Sequence, residues 1–186
     1  MFTVPTLNSA TSGIVSVGSF LTTAGAGPLG VYDWGAADVF AVNIAGRGSV
    51  YRLGLTTANT SCCVPPTFTP HPGDLISVTV SVSKIATIAA ITDVTQATSQ
   101  SQSGPGASNV SLVGVGVEAD GTSGTPAYLA DFGKLRIFKA AIDGVTPMAA
   151  GAVAVNMKTY NTGILQVRTG ALNTTGNAWN EVWKNP

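Results

Sequence analysis

The chain has 186 residues, nine Lys and Arg against nine Asp and Glu, and a formal net charge of +0. Charged residues make up 10% of it, against the ~25% usual in soluble domains, while hydrophobic residues reach 45%, which excludes intrinsic disorder. Sparse, balanced charge also excludes nucleic acid as the main partner, because phosphate binding needs clustered Lys and Arg.

The length predicts one domain over residues 1–186, with a core of its own. Its first charge is Asp33. Pro5, Asn8, Thr11, Ser12 and Gly13 break the uncharged stretch before it, and no Lys or Arg precedes it, so it does not read as a secretory signal. A bulky Phe2 after Met1 predicts a retained initiator and a chain made in the cytoplasm without export. No run of 18 apolar residues exists, so no spanning helix and no membrane partner is expected.

Period-two alternation dominates the chain. The first strands are predicted over 14–20, 38–45 and 48–56. Cys62 and Cys63 follow; adjacent thiols cannot staple a distant loop, and their redox state stays open. With a single His they fall short of the ~4 ligands of a zinc site, so no metal or other cofactor is expected. His71 sits between Pro70 and Pro72 and reads as a surface turn leading into Leu75–Val82. There Ile76, Val78, Val80 and Val82 face one way and Ser77, Thr79 and Ser81 the other, a half-buried antiparallel strand.

Further strands are predicted over 85–93, 110–119, 133–140, 151–158, 163–168 and 178–184. The polar stretch Thr95–Asn109 carries no apolar anchor and reads as an exposed hairpin loop or flap. Trp179 and Trp183, four apart, share a face of the last strand. No segment shows a capped helical stripe. Many short strands with Gly-, Pro- and Asn-rich turns predict an all-β, antiparallel two-sheet sandwich.

Other short patterns carry little. Gly46-Arg47-Gly48 and Gly114-Val115-Gly116 open no helix, so neither is a dinucleotide fingerprint. Asp131-Phe132-Gly133 matches a kinase triplet by letters only. Asn59-Thr60-Ser61, Asn109-Val110-Ser111 and Asn173-Thr174-Thr175 fit the glycan acceptor pattern but read as polar turns in an unexported chain.

Several segments, in order, resemble those of the glutamic peptidases (eqolisins). Val39–Gly46 followed by Ser49–Gly54 is similar to that family's "WxGIDG" and "VxQxG" strands. Pro72-Gly73-Asp74-Leu75-Ile76 resembles "PGDxI", Leu112–Glu118 resembles "AEWIVE", and Leu129–Leu135 resembles "LADFGxV". Residues 170–183 resemble the closing strand pair. The resemblance implies a concanavalin A-like, lectin-like sandwich. It also implies an activity in which a Glu acts as acid and base on a water while a Gln holds that water and the oxyanion.

The departures point away from that activity. The Gln position falls on Arg52, which stays protonated and cannot act as a base, and the catalytic Glu position falls on Gly114. Glu118 matches a supporting Glu, roughly 13 Å along the strand from 114. The former active-site face is therefore expected to carry Arg52, Gly114, Gly116, Glu118 and Asp120, with Arg52 pairing with Glu118 or Asp120. Tyr51, Tyr128 and Trp34 are candidate binding aromatics.

Three functions follow as expectations. The first is a non-catalytic structural or surface-binding sandwich, such as a tailed-phage capsid decoration or coat-associated protein. Its partner would be a protein lattice or its own copies, and its place a virion or extracellular surface. The second is a carbohydrate- or peptide-binding module. The third is an acid endopeptidase with a relocated carboxyl, for which Glu118 and Asp120 are the nearby choices.

Overall fold

A computed structural model of the chain describes residues 1–24, 31–57, 66–118, 129–158 and 163–184, without the side chains of 22–24, 31–34, 111, 112 and 118. Cys62, Cys63, Asp120 and Tyr128 lie outside the described residues, as do the side chains of Trp34 and Glu118. The described residues contain strands and no helix, arranged in two antiparallel sheets, as the alternation predicts.

The smaller sheet has the order β4-β3-β2-β8. Its strands are β2 (Gly13–Ala24), β3 (Val31–Ile44), β4 (Gly48–Thr57) and β8 (Val110–Glu118). Odd-numbered residues point inward: Val15, Val17, Ala37, Val39, Ala41, Leu53 and Leu55 are all in the core, with Val115 and Val117 packed against it. Even-numbered residues form the outer face. β2 and β3 run several residues beyond their predicted ends.

The larger sheet has the order β10-β11-β12-β9-β1-β5-β6-β7. Its strands are β1 (Phe2–Thr3), β5 (Leu75–Val82), β6 (Ala86–Asp93), β7 (Thr98–Pro105), β9 (Lys134–Ile137), β10 (Met157–Lys158), β11 (Leu165–Thr169) and β12 (Trp179–Trp183). Phe2, Ile76, Ala89, Ile91, Leu135, Ile137, Val167 and Trp179 face the smaller sheet and complete the core. Trp179 is buried and Trp183 packs beside it, so both tryptophans use the inward face.

Two segments differ from expectation. The stretch expected as a flap contains β7, which pairs with β6 along its whole length, Ala86 to Asp93 against Pro105 to Thr98. A hydrogen-bonded ladder needs no apolar side chains, and the one deeply buried side chain on β7, Gln100, accepts from the Thr67 backbone N–H at 2.9 Å. Conversely, only Met157–Lys158 of the predicted strand 151–158 is a strand. Its Ala/Val alternation lies on an exposed segment, with Val153 80% and Val155 73% accessible.

Candidate functional site

Cross-strand register arranges the outer face of the smaller sheet in rows. One row runs Arg52, Phe40, Ser16, Glu118; the next runs Gly54, Asp38, Gly18, Gly116; a third runs Thr56, Ala36, Phe20, Gly114. Arg52, Gly114, Gly116 and Glu118 thus share one face parity. They are not neighbours. Arg52 and Glu118 start three strand spacings apart, roughly 14 Å, and Gly114 lies a further four residues, roughly 13 Å, along the strand direction. Among the described side chains, Arg52 has no carboxylate within ion-pair distance.

Tyr51 is corrected. As an odd residue of β4 it points into the core, where it is buried and its hydroxyl donates to the Pro5 carbonyl at 3.0 Å. Strand parity turns it away from any outer surface.

The outer face holds a residue that the sequence reading passed over. Asp38 is a buried carboxylate and accepts a hydrogen bond from the buried Ser16 hydroxyl. It fits only because its row neighbours are glycines: an added Cβ would lie 2.3 Å from Asp38 Oδ1 at Gly54 and 2.5 Å from Asp38 Cβ at Gly18. Its sequence signal was an isolated charge in the otherwise apolar run Trp34–Ala41.

A second carboxylate was also missed. Glu181 lies between Trp179 and Trp183 on the inward face of β12 and is buried. Trp179 Nε1 donates to its Oε1 at 2.7 Å and Thr169 Oγ1 donates to its Oε2 at 2.9 Å. It stands in a cleft of about 830 Å³ lined by the edge strand β8 from Val113 to Val117, Phe20, the 147–155 segment and β11. Gly116 of β8 stands beside the carboxylate; a Cβ there would meet Oε1 at 3.4 Å.

Burial pushes the Glu181 carboxyl above the ordinary Glu range, against the opposing effect of the two donors. The folded chain therefore binds this proton more tightly than the unfolded chain. Its contribution to stability is most favourable below the unfolded value of 4.5 and is lost as pH rises through the folded value. Glu181→Gln keeps an acceptor for Trp179 and removes the charge. The variant is expected to unfold at a higher urea concentration than wild type at pH 7, with the difference closing near pH 4. An equal difference at both pH values would show that the charge is not the cause.

A third cluster closes the larger sheet. His71 is exposed, as the turn reading predicts, with its Nδ1 3.5 Å from Asp74 Oδ2. Gln96 Nε2 donates to Asp74 Oδ2 at 2.7 Å and Asp93 Oδ2 at 2.9 Å, tying the start of β5 to the end of β6. Burial raises the Asp74 carboxyl, but hydrogen bonds from the His71 backbone N–H, Gln96 and Asp93, with the His71 charge, outweigh it and hold it below the ordinary range. This cluster joins strand ends and opens onto no described cleft.

No family model and no curated protein matches the chain. Solved structures do. The chain is similar to aspergilloglutamic peptidase from Aspergillus niger, with TM-score 0.64 and 16% identity over 91% of this chain and 99% of that one. It is also similar to scytalido-glutamic peptidase with a transition state analog inhibitor, with TM-score 0.57 and 15% identity over 98% of both chains. Alignment over nearly the full length of both chains at this low identity, with two antiparallel sheets here, gives this chain the glutamic peptidase fold.

Proposed function

We propose that this protein is a non-catalytic, surface-binding β-sandwich that holds an apolar segment of a protein partner in the cleft beside β8. The arrangement of Arg52 and Gly114 supports the loss of catalysis. One carries a guanidinium and the other has no side chain, so neither position supplies the amide or the carboxyl that the resemblance implies. A water held at either would have neither a base nor an amide from the other. The binding role is supported by the cleft walls, which are apolar apart from Glu181 and Thr169.

The test is digestion. Unfolded casein incubated with the protein from pH 2 to pH 7 is expected to stay intact by mass spectrometry. Peptides that appear with wild type and vanish in Glu118→Gln or Glu181→Gln would restore the peptidase reading with a relocated carboxyl. A carbohydrate-binding module would instead give hits on a glycan array, which the apolar cleft does not predict.

A further inference from the structure

We propose that the cleft beside β8 recognises a lysine side chain of the partner segment, received by the Glu181 carboxylate. This rests on the binding role proposed above and names what the cleft reads.

The argument is one of charge complementarity. Glu181 is 4% accessible; its Oε1 accepts from Trp179 Nε1, and its Oε2 stands 2.9 Å from Thr169 Oγ1, whose single proton is shared with the Val155 carbonyl at 2.7 Å. No cation is within ion-pair distance of it among the described residues. A buried carboxylate without a counter-charge is costly unless it is protonated or paired. Oε1 accepts one full hydrogen bond and Oε2 at most the shared Thr169 proton, so both keep capacity for another. Among the described residues lining the cleft, Glu181 is the only ionisable one: β8, β11, Phe20 and the 147–155 segment contribute none. Lys134, Arg136 and Arg168 on the adjoining strands are exposed on the opposite face.

The access route selects the ligand. Val113, Val115, Val117, Val153 and Val155 make apolar walls, and Gly116 places only a backbone hydrogen beside Oε1. A peptide amino terminus would have to carry its own amides down to the carboxylate and bury them. Lysine carries its ammonium on four methylenes, which lie against apolar walls at no polar cost. Once there, the ammonium exchanges water for a charge-assisted bond in a low-dielectric site.

The probe is an end-blocked Ala-Val-Lys-Val-Ala peptide, compared by calorimetry with peptides carrying norleucine, acetyl-lysine or arginine at the centre. At pH 7 the lysine peptide is expected to bind about tenfold more tightly than the norleucine peptide. In Glu181→Gln the two are expected to bind alike, at the norleucine level. In wild type the lysine preference is expected to shrink as pH falls and the carboxyl takes up its proton, which tests the assignment without any variant.

A norleucine peptide that binds as well as the lysine peptide would overturn the inference while leaving the cleft as a binding site. No binding by any of the peptides would overturn the cleft reading itself. Free n-butylamine should displace the lysine peptide only weakly, since it lacks the flanking residues; equal potency would assign the site to small amines instead. A preference for arginine over lysine would overturn the choice of a compact ammonium.

Discussion

Phe2→Ala is expected to lower unfolding stability by about 3–5 kcal/mol, measured by urea denaturation at pH 7. Two residues make β1, yet β1 stands in the middle of the larger sheet. Phe2 pairs with Ile76 of β5 on one side and Ile137 of β9 on the other, and Thr3 pairs with Leu75. The Phe138 N–H donates to the Met1 carbonyl at 2.9 Å, and the Val4 N–H to the Asp74 carbonyl at 2.8 Å. Among the described strands, this two-residue element is what joins β10-β11-β12-β9 to β5-β6-β7. Phe2 is 2% accessible, between Ile76 and Ile137, which are almost completely buried. Removing its ring leaves a cavity where the two halves of the sheet meet. Thr3 has an exposed side chain, so Thr3→Ala is expected to change stability by no more than about 0.5 kcal/mol. A similar small loss for both variants would show that the strand contributes pairing alone and that the ring fills no essential space.

What the sequence made legible follows the length and cleanness of each pattern. Within Leu75–Val82 the seven residues from Ile76 on alternate strictly, and its predicted limits and inward face match β5. Phe2–Thr3 has no period to read, because two residues cannot alternate; its strand exists only through its two partners. Thr98–Pro105 hid for the opposite reason. Its inward positions are Thr98, Gln100, Gln102 and Gly104 rather than apolar residues, and β6 supplies the ladder. The Ala/Val run at 151–156 shows the converse failure: alternation makes a strand possible, but pairing makes it one.

The candidate site was legible by half. Comparison with the glutamic peptidases drew attention to Arg52 and Gly114, and the register puts both on one face of the smaller sheet. It drew attention away from Asp38 and Glu181, which match no motif considered. Glu181 could be found by parity and Asp38 by its apolar surroundings. A charge amid the apolar residues of Trp34–Ala41, or between two inward tryptophans, must be buried, and a buried carboxylate needs donors and room. Ser16 and the flanking glycines supply them for Asp38, and Trp179, Thr169 and Gly116 for Glu181.

The glycines of the smaller sheet divide by what lies across from them, and this sets the order of a second series. Gly18→Ala is expected to be the most damaging, at about 3 kcal/mol. Its new Cβ would lie 2.2 Å from the Ala37 carbonyl oxygen, 2.5 Å from Asp38 Cβ and 2.7 Å from Asp38 Cα. These are largely atoms of the paired strand β3, held by the ladder on both sides, so relief requires β2 and β3 to separate and the Ser16–Asp38 bond to break. Gly54→Ala meets the far end of the Asp38 side chain, 2.3 Å from Oδ1, which can rotate aside. Its expected cost is smaller, about 1–2 kcal/mol, chiefly from the disturbed Ser16–Asp38 bond. Gly114→Ala meets nothing within 4 Å and has no left-handed backbone, so it is expected to be neutral or to stabilise by about 0.5 kcal/mol through a less flexible unfolded chain. Urea midpoints of the three variants should therefore fall in the order Gly114→Ala, Gly54→Ala, Gly18→Ala. Equal losses at Gly18 and Gly54 would mean that Asp38 is fixed as rigidly as the backbone. A large loss at Gly114 would mean that this position is closely covered, against the open surface that the geometry gives it.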